Sequence, residues 1–551
     1  MNNKAVINAY PDSIGNKLED IVDLLKQEEM KDAFGSFYIL PSVFNTDLDR
    51  GFSLISYDLN ETMAKSEDIE DIKNLKIDLI MDFILNHISV LSPEFQDLLE
   101  KGTESEYKDF FIDWNEFWKG HGTINEDGVL VPDEDVIKDM FFRKEGLPIL
   151  KVRFPDGSEH PYWNTFYQKV IYYPVNESEL VKNLKMQYDV AKQICALINP
   201  QIEKGTDLKN IDYGQYDKYK EAVNDYVSAK RSYLGQMDLN IRSEKVWEYY
   251  QNTLKKLSDY GVSIVRLDAF AYAPKTVGKR NFLNNPDTFD LLEKINNIAT
   301  PLNLTLLPEI HASYYEATYK YLADKGYMVY DFFLPGLIID AFERRNGTYL
   351  KKWADEITES KIKTLNMLGC HDGIPLLDLK GLLPEEDIQR LIDVVVGRGG
   401  YVKDLHGATN VYYQVNATYF SALGEDEKKM LLARAIQLFM PGKPQIYYLD
   451  LFAGKNDYEA MKRAGVGGHK EINRSNIALE DAKAMLKQDI VKKQIELLRF
   501  RNNCPAFNDD AKFDFVCEGN TIKMTWTYED KKATLNANLD DYTYSIDCEN
   551  C

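Results

Sequence analysis

Short apolar runs of β character, each followed by a longer helical pattern, recur along this 551-residue chain. They are FGSFYIL (34–40), KIDLIMDFIL (76–85), VSIVRLDAFA (262–271), LTLLPEI (304–310), MVYDFFL (328–334), TLNMLGC (364–370) and PQIYYL (444–449). A strand that is apolar at nearly every position needs cover on both faces, and the helix leading to the next parallel strand supplies it. The pattern predicts an α/β protein built on a closed (β/α)8 TIM barrel. No fixed-period repeat points to a solenoid or propeller.

The chain is longer than a barrel alone needs. Residues 1–87 are expected to form the first part of the barrel and 237–510 the second, the latter carrying loops around the barrel mouth. Between them, 88–167, with WNEFWKGHGTINEDGVLVPDEDV, is too long for a simple βα loop and predicts a small inserted domain. Residues 168–236 turn Lys-, Glu- and Tyr-rich, and ESELVKNLKMQYDVAKQICALI and YDKYKEAVNDYVSAKRSYL have the spacing of two amphipathic helices, a helical hairpin. From 511 to 551, FDFVCEG, TIKMTWTYED and KATLNANL alternate apolar and polar residues, which predicts a C-terminal antiparallel β-domain.

A formal net charge of -22, without a long basic run, argues against a nucleic-acid partner. The start MNNKAVINAYPDSIGNK lacks a charged-then-apolar signal pattern, and no apolar run approaches the roughly 20 residues of a membrane span. A cytoplasmic protein with no membrane partner is expected, as monomer or homodimer. The six cysteines are scattered, so reduced thiols and no metal site are expected, and no cofactor motif stands out.

Four predicted barrel strands end in chemistry-bearing residues: Asp82 with Asn86-His87, Arg266 with Asp268, Glu309 with His311, and His371-Asp372. Barrel enzymes gather their reacting groups at the C-terminal rim, so a closed barrel brings these four together. A charged Arg–Asp pair ending a buried strand also calls for a reason, because unpaired charge in a core is costly.

These motifs, DFILNH, VRLDAFAY, LLPEIH and LGCHDG, resemble the four ordered motifs of the α-amylase clan of glycoside hydrolases. Within the clan, DRGFSLISY, LDAFAYAPK, EIHASYY, CHDGI, YYQVNATYFSAL, PGKPQIYY, AGKNDYE and INR are similar to the sucrose phosphorylase group. The resemblance implies a retaining phosphorylase, a hexosyltransferase that turns an α-glucoside and inorganic phosphate into α-glucose 1-phosphate through a β-glucosyl-Asp268 intermediate. Asp268 is then the nucleophile, Glu309 the general acid/base and Asp372 the third carboxylate. Two carboxyl groups roughly 5 to 5.5 Å apart are what retaining chemistry requires. Arg266 is expected to keep Asp268 ionised while Glu309 holds its proton.

Around the glucosyl unit the resemblance places His87 and His371 as donors to hydroxyls, Phe52 as an apolar face, and Asp49 with Arg474 as the far wall. Tyr413 and Gln414 lie beside the acceptor. Phosphate must attack the intermediate, so cations are sought: Arg143 and Lys144 in MFFRKEGLP, and Arg398, Lys403 and His406 in residues 396–409. His469 and Lys470 are further candidates for an anionic acceptor. Val411 and HKEINRSN depart from the family's acceptor pattern, as does the 168–236 insertion. Sucrose is the leading substrate, its 6'-phosphate ester the alternative, with glucosylglycerol, glucosylglycerate, and hydrolysis or transglucosylation behind.

Overall fold

The computed structural model describes residues 3–143, 146–404, 412–465 and 468–551. Eight parallel strands form the central sheet: β1 (Val6–Ala9), β2 (Ser36–Ile39), β3 (Asp78–Ile84), β4 (Val262–Asp268), β5 (Thr305–Pro308), β6 (Val329–Asp331), β7 (Thr364–Met367) and β8 (Lys443–Tyr447). Ladders run from β5 through β4, β3, β2 and β1 to β8, β7 and β6. The sheet curls into the barrel by joining β1 to β8, with Val6 opposite Gln445, while β5 packs alongside β6. Strand interiors such as Leu79–Ile84 are buried throughout, as helices on the outer face require. The one strand absent from the seven apolar runs is β1, four residues long and buried at every position.

Between β3 and β4 the chain leaves the barrel twice. Residues 114–163 build two hairpins, Gly122–Ile124 with Leu130–Pro132 and Ile149–Arg153 with Glu159–Trp163, around a separate core of Trp114, Trp118 and Trp163. The helical insertion follows, with its own core of Leu180, Ile194, Ile198, Val223 and Val227. It holds three helices: the first expected amphipathic run divides into Glu177–Leu184 and Tyr188–Glu203, because Lys185 takes a left-handed conformation (φ 53°, ψ 35°) that ends the first. Lys220–Ala229 is the return arm.

The insertion springs from adjacent points. Strand Gln168–Ile171 pairs antiparallel with Ser232–Asp238, and Ile171 lies directly opposite Ser232. An excursion whose ends already touch adds little closure entropy and leaves the scaffold undisturbed. Ser232–Asp238 in turn pairs with His87–Ser89, so this small sheet carries the chain back to the rim.

The C-terminal part is a four-stranded antiparallel meander, β9 (Lys512–Glu518), β10 (Thr521–Tyr528), β11 (Lys531–Asn538) and β12 (Thr543–Glu549). Its Trp526 packs on Phe507 and Phe513 and donates its indole N–H to the Phe439 carbonyl, fixing the sheet to the barrel. The expectation of six reduced thiols is corrected here: Cys504 and Cys551 form a disulfide that ties the end of the chain to the helix Asp489–Asn503 region.

Candidate active site

Register sets the geometry of the rim. In the β3–β4 ladder Asp82 stands opposite Arg266, and in the β4–β5 ladder Leu267 stands opposite Pro308. Residues two apart on a strand share a face, so Asp82, Arg266 and Asp268 point into the barrel mouth together, and Glu309 follows directly after β5. Arg266 Nη1 lies 2.5 Å from Asp82 and 2.9 Å from Asp268. Its Nη2 lies 2.6 Å from Glu309 Oε1. Tyr38 donates its hydroxyl to Asp82 at 2.8 Å. Beyond Asp268 the backbone turns sharply, with Ala269 at φ 50°, which aims the Ala269 N–H at Glu309 Oε2, 3.4 Å away.

One guanidinium therefore serves three carboxylates. Burial, and then the neighbouring Glu309 charge, push Asp268 well above the ordinary carboxylate range. For Glu309 burial acts in the same direction, but Arg266 and His311 outweigh it and hold the carboxyl at about 2. The two carboxyls share one guanidinium and titrate as a pair.

Glu309 has a second cationic neighbour. His311 Nε2 faces Glu309 Oε1 at 3.6 Å, and its Nδ1 is 2.9 Å from Asp378 Oδ2. The ring stacks on Phe332 with centroids 3.9 Å apart, and the Gln414 amide nitrogen lies 3.4 Å from Nε2. Gln414 is thus brought to the Glu309 side of the site. The side chain of Tyr413 lies outside the described residues.

On the opposite side Asp372 collects an imidazole, whose pKa burial lowers, and two cations. His371 Nε2 is 3.2 Å away, Lys470 Nζ 2.6 Å and Arg474 Nη2 3.7 Å. Burial would raise this carboxyl; His371, Lys470 and Arg474 together hold it well below its ordinary value. Arg474 also reaches Asp49 at 3.5 Å and is fixed by donating Nε–H to the His371 carbonyl at 2.9 Å. Asp49 and Arg474 are therefore paired. Phe52 stacks on His371, centroids 5.0 Å apart at 10°. His87 turns Nε2 to the Phe52 carbonyl at 2.9 Å, and burial lowers its pKa, so the neutral ring is spent on the backbone.

The expected cations separate. Arg143 comes over the rim from the inserted segment: it donates to the Tyr272 hydroxyl at 2.9 Å and lies 5.0 Å from the Phe166 ring centre. Phe166 packs in turn on His87. Arg398 is drawn away, bound to Glu343 at 2.8 Å and to the Ala422 carbonyl. His469 stacks on Tyr401, centroids 5.9 Å apart. Lys470, expected toward the acceptor, is instead held by Asp372. Lys144, His406 and the side chain of Lys403 lie outside the described residues. Among the described residues no cluster has metal-ligand character, and no helix is long and apolar enough to cross a membrane.

No protein-family model matches the chain. It is 47% identical to the sucrose 6(F)-phosphate phosphorylase of Ilumatobacter coccineus, over 99% of this chain and 95% of that protein. It is 30% identical to the sucrose phosphorylase of Streptococcus mutans, over 99% and 97%. The crystal structure of sucrose 6F-phosphate phosphorylase from Thermoanaerobacter thermosaccharolyticum superposes with a TM-score of 0.81 at 31% identity, covering 100% of this chain and 96% of that one. The chain belongs to the sucrose phosphorylase family of the α-amylase clan.

For a sucrose phosphorylase family site, several supporting groups have weak signals in sequence. Tyr10, just past β1, lies under both Arg50 (4.6 Å) and Arg474 (5.7 Å), yet nothing in NAYPDS distinguishes it. Asp378 sits in an ordinary-looking LLDLKGLL. Lys275, at the end of the quoted LDAFAYAPK, is buried with its ammonium 2.6 Å from Asp238, 3.0 Å from Asn86 Oδ1 and 2.7 Å from the Tyr272 carbonyl. Asp238 also accepts from Thr165 N–H and hydroxyl and from the Asn86 amide. This satisfied polar knot joins β3, the inserted segment and the loop after β4, and so fixes Asn86-His87 against the rim.

Proposed function

We infer that this protein is a retaining α-glucoside phosphorylase working by double displacement. The observation carrying the reading is the Arg266 guanidinium that holds Asp268 and Glu309 at adjacent strand ends, 2.9 and 2.6 Å away. Asp268 attacks the anomeric carbon as Glu309 protonates the departing oxygen; phosphate then attacks the glucosyl ester while Glu309 takes back a proton. The reactive pair holds one proton, carried by Glu309 as Asp268 attacks, and the Arg266 guanidinium sits on both carboxyls. Asp372, His371, Arg474 and Asp49 form the glucosyl pocket, and the Asp49–Arg474 pair closes its far end, which favours removal of single glucosyl units.

Phosphorolysis of sucrose to α-glucose 1-phosphate and fructose fits this pocket. A second reading, sucrose 6'-phosphate as the preferred donor, is favoured by Arg143: its guanidinium overhangs the acceptor side on Tyr272 and Phe166, where it can meet a phosphoryl group. The I. coccineus relative is named for that ester. Initial rates on sucrose and sucrose 6'-phosphate, each with and without inorganic phosphate, test both points. Phosphate-dependent α-glucose 1-phosphate supports the reading, and glucose release indifferent to phosphate contradicts it. The donor with the higher kcat/KM identifies the acceptor.

A further inference from the structure

The chemistry above gives Glu309 a changing charge and leaves the groups behind it unassigned. Behind it stand His311 and Asp378, both with side chains only 6% exposed. Asp378 fixes the ring by accepting from Nδ1 at 2.9 Å, Phe332 fixes its plane, and Nε2 is left facing Glu309 at 3.6 Å. Asp378 is held in the short helix Leu377–Leu379, so the order Glu309, His311, Asp378 is built from two separate segments of the chain. From this arrangement we propose that the His311–Asp378 pair is the positioning and charge-balancing partner of the general acid/base. It turns Glu309 toward the aglycone and stabilises the carboxylate that Glu309 becomes.

The step balances simply. The Glu309 proton goes to the leaving oxygen, the C1–O bond to the aglycone breaks and the C1–O bond to Asp268 forms. Negative charge appears on Glu309 as it disappears from Asp268. Arg266 touches both carboxylates and so compensates only part of this shift, whereas His311 lies against the Glu309 oxygen on which the charge appears. Burial by itself would lower the His311 pKa; Asp378 first and Glu309 second hold it up to about 9, so the ring is cationic at neutral pH. Burial leaves Asp378 above its ordinary value, with His311 pulling it back. Among the described residues, further charges acting at this cluster are Glu316, near Asp378, and Arg266, beyond Glu309.

The proposal rests on Glu309 being the acid, and leaving-group dependence separates the two claims. Fluoride departs from α-glucosyl fluoride without needing a proton, so a group acting through Glu309 is dispensable there. In the full-length enzyme Asp378→Asn should lower kcat on the sucrose-type donor by about tenfold or more, yet change glucosylation by α-glucosyl fluoride by at most about twofold. Equal losses on both donors, or no loss on either, would overturn the proposal. His311→Asn must give the same split, and it decides the matter if Asp378→Asn lowers the melting temperature. Glu309→Gln is the control: without a donor split in that variant the acid assignment itself fails.

Discussion

The two sides of the barrel mouth are built differently. The glucosyl side stands on strand ends: Asp268 closes β4, Glu309 follows β5, and His371-Asp372 follow β7. The side proposed for the acceptor stands on excursions: Arg143 comes from the segment inserted after β3, and Gln414 from the strand Tyr412–Asn416, paired with Tyr401–Asp404 and bridged through Val415 to Ile374. A parallel sheet fixes its strand ends by register to within a residue, whereas loops answer to packing that varies with every neighbour. The difference teaches that the bond-breaking chemistry is set by the scaffold, and the choice of acceptor by what has been added to it.

If that division is right, variants on the two sides should fail differently. The largest effect belongs to the strand ends: Asp268→Asn should lower turnover on every donor, α-glucosyl fluoride included, by about 10⁴-fold or more, with an unchanged melting curve. Appreciable turnover by that variant would remove Asp268 from the nucleophile's role.

Across the mouth, Arg143→Ala should raise the phosphate concentration needed for half-maximal rate by about ten- to a hundredfold, the cost of one charge-assisted contact, while glucosylation of the enzyme changes far less. Equal impairment of both half-reactions in a normally melting variant would break the comparison. Lys470 sharpens it, because the sequence puts it with the acceptor and the structure on Asp372, 2.6 Å away. Lys470→Ala should weaken use of α-glucose 1-phosphate by roughly tenfold and leave the ratio of rates on sucrose 6'-phosphate and sucrose unchanged. A collapse of that ratio would return Lys470 to the acceptor side.

The smallest effect is one of pH. Asp268 must be ionised to attack, and its pKa is raised by burial and by Glu309. The reactive pair holds a single proton, so activity is lost as pH rises through that raised pKa and the proton leaves: the alkaline limb of kcat/KM should lie well above the 3.8 of an ordinary aspartate. A limb at or below that value would contradict the charge distribution described for the pair.

The same division explains what was legible in the sequence. Seven of the eight barrel strands announce themselves as apolar runs, because burial on both faces leaves no alternation to mislead, and each rim motif sits where its strand ends. The strand β1 is too short to make such a run. Among the site residues, Asp268, Glu309, Asp372, Asp49 and Arg474 could be read because they lie in motifs, and the structure places them around one mouth. His311 was written in the motif EIH but given no role, since its meaning comes from Asp378, 67 residues away. The direction of the Glu309 shift was also out of reach: it depends on which oxygen the Arg266 fork meets, and spacing along β4 points only to Asp268. Lys470 and His87 show the same limit, since a sequence gives the charge but not the partner it settles on.

The central claim is a covalent glucosyl ester on Asp268 with Glu309 as its acid and base, and trapping that ester tests it most directly. In Glu309→Gln, α-glucosyl fluoride still donates while no base remains to activate an acceptor, so the intermediate should accumulate. Peptide mass spectrometry of the quenched, proteolysed variant should find one added glucosyl unit on the peptide containing Asp268. No adduct, or an adduct on another residue, would contradict the account.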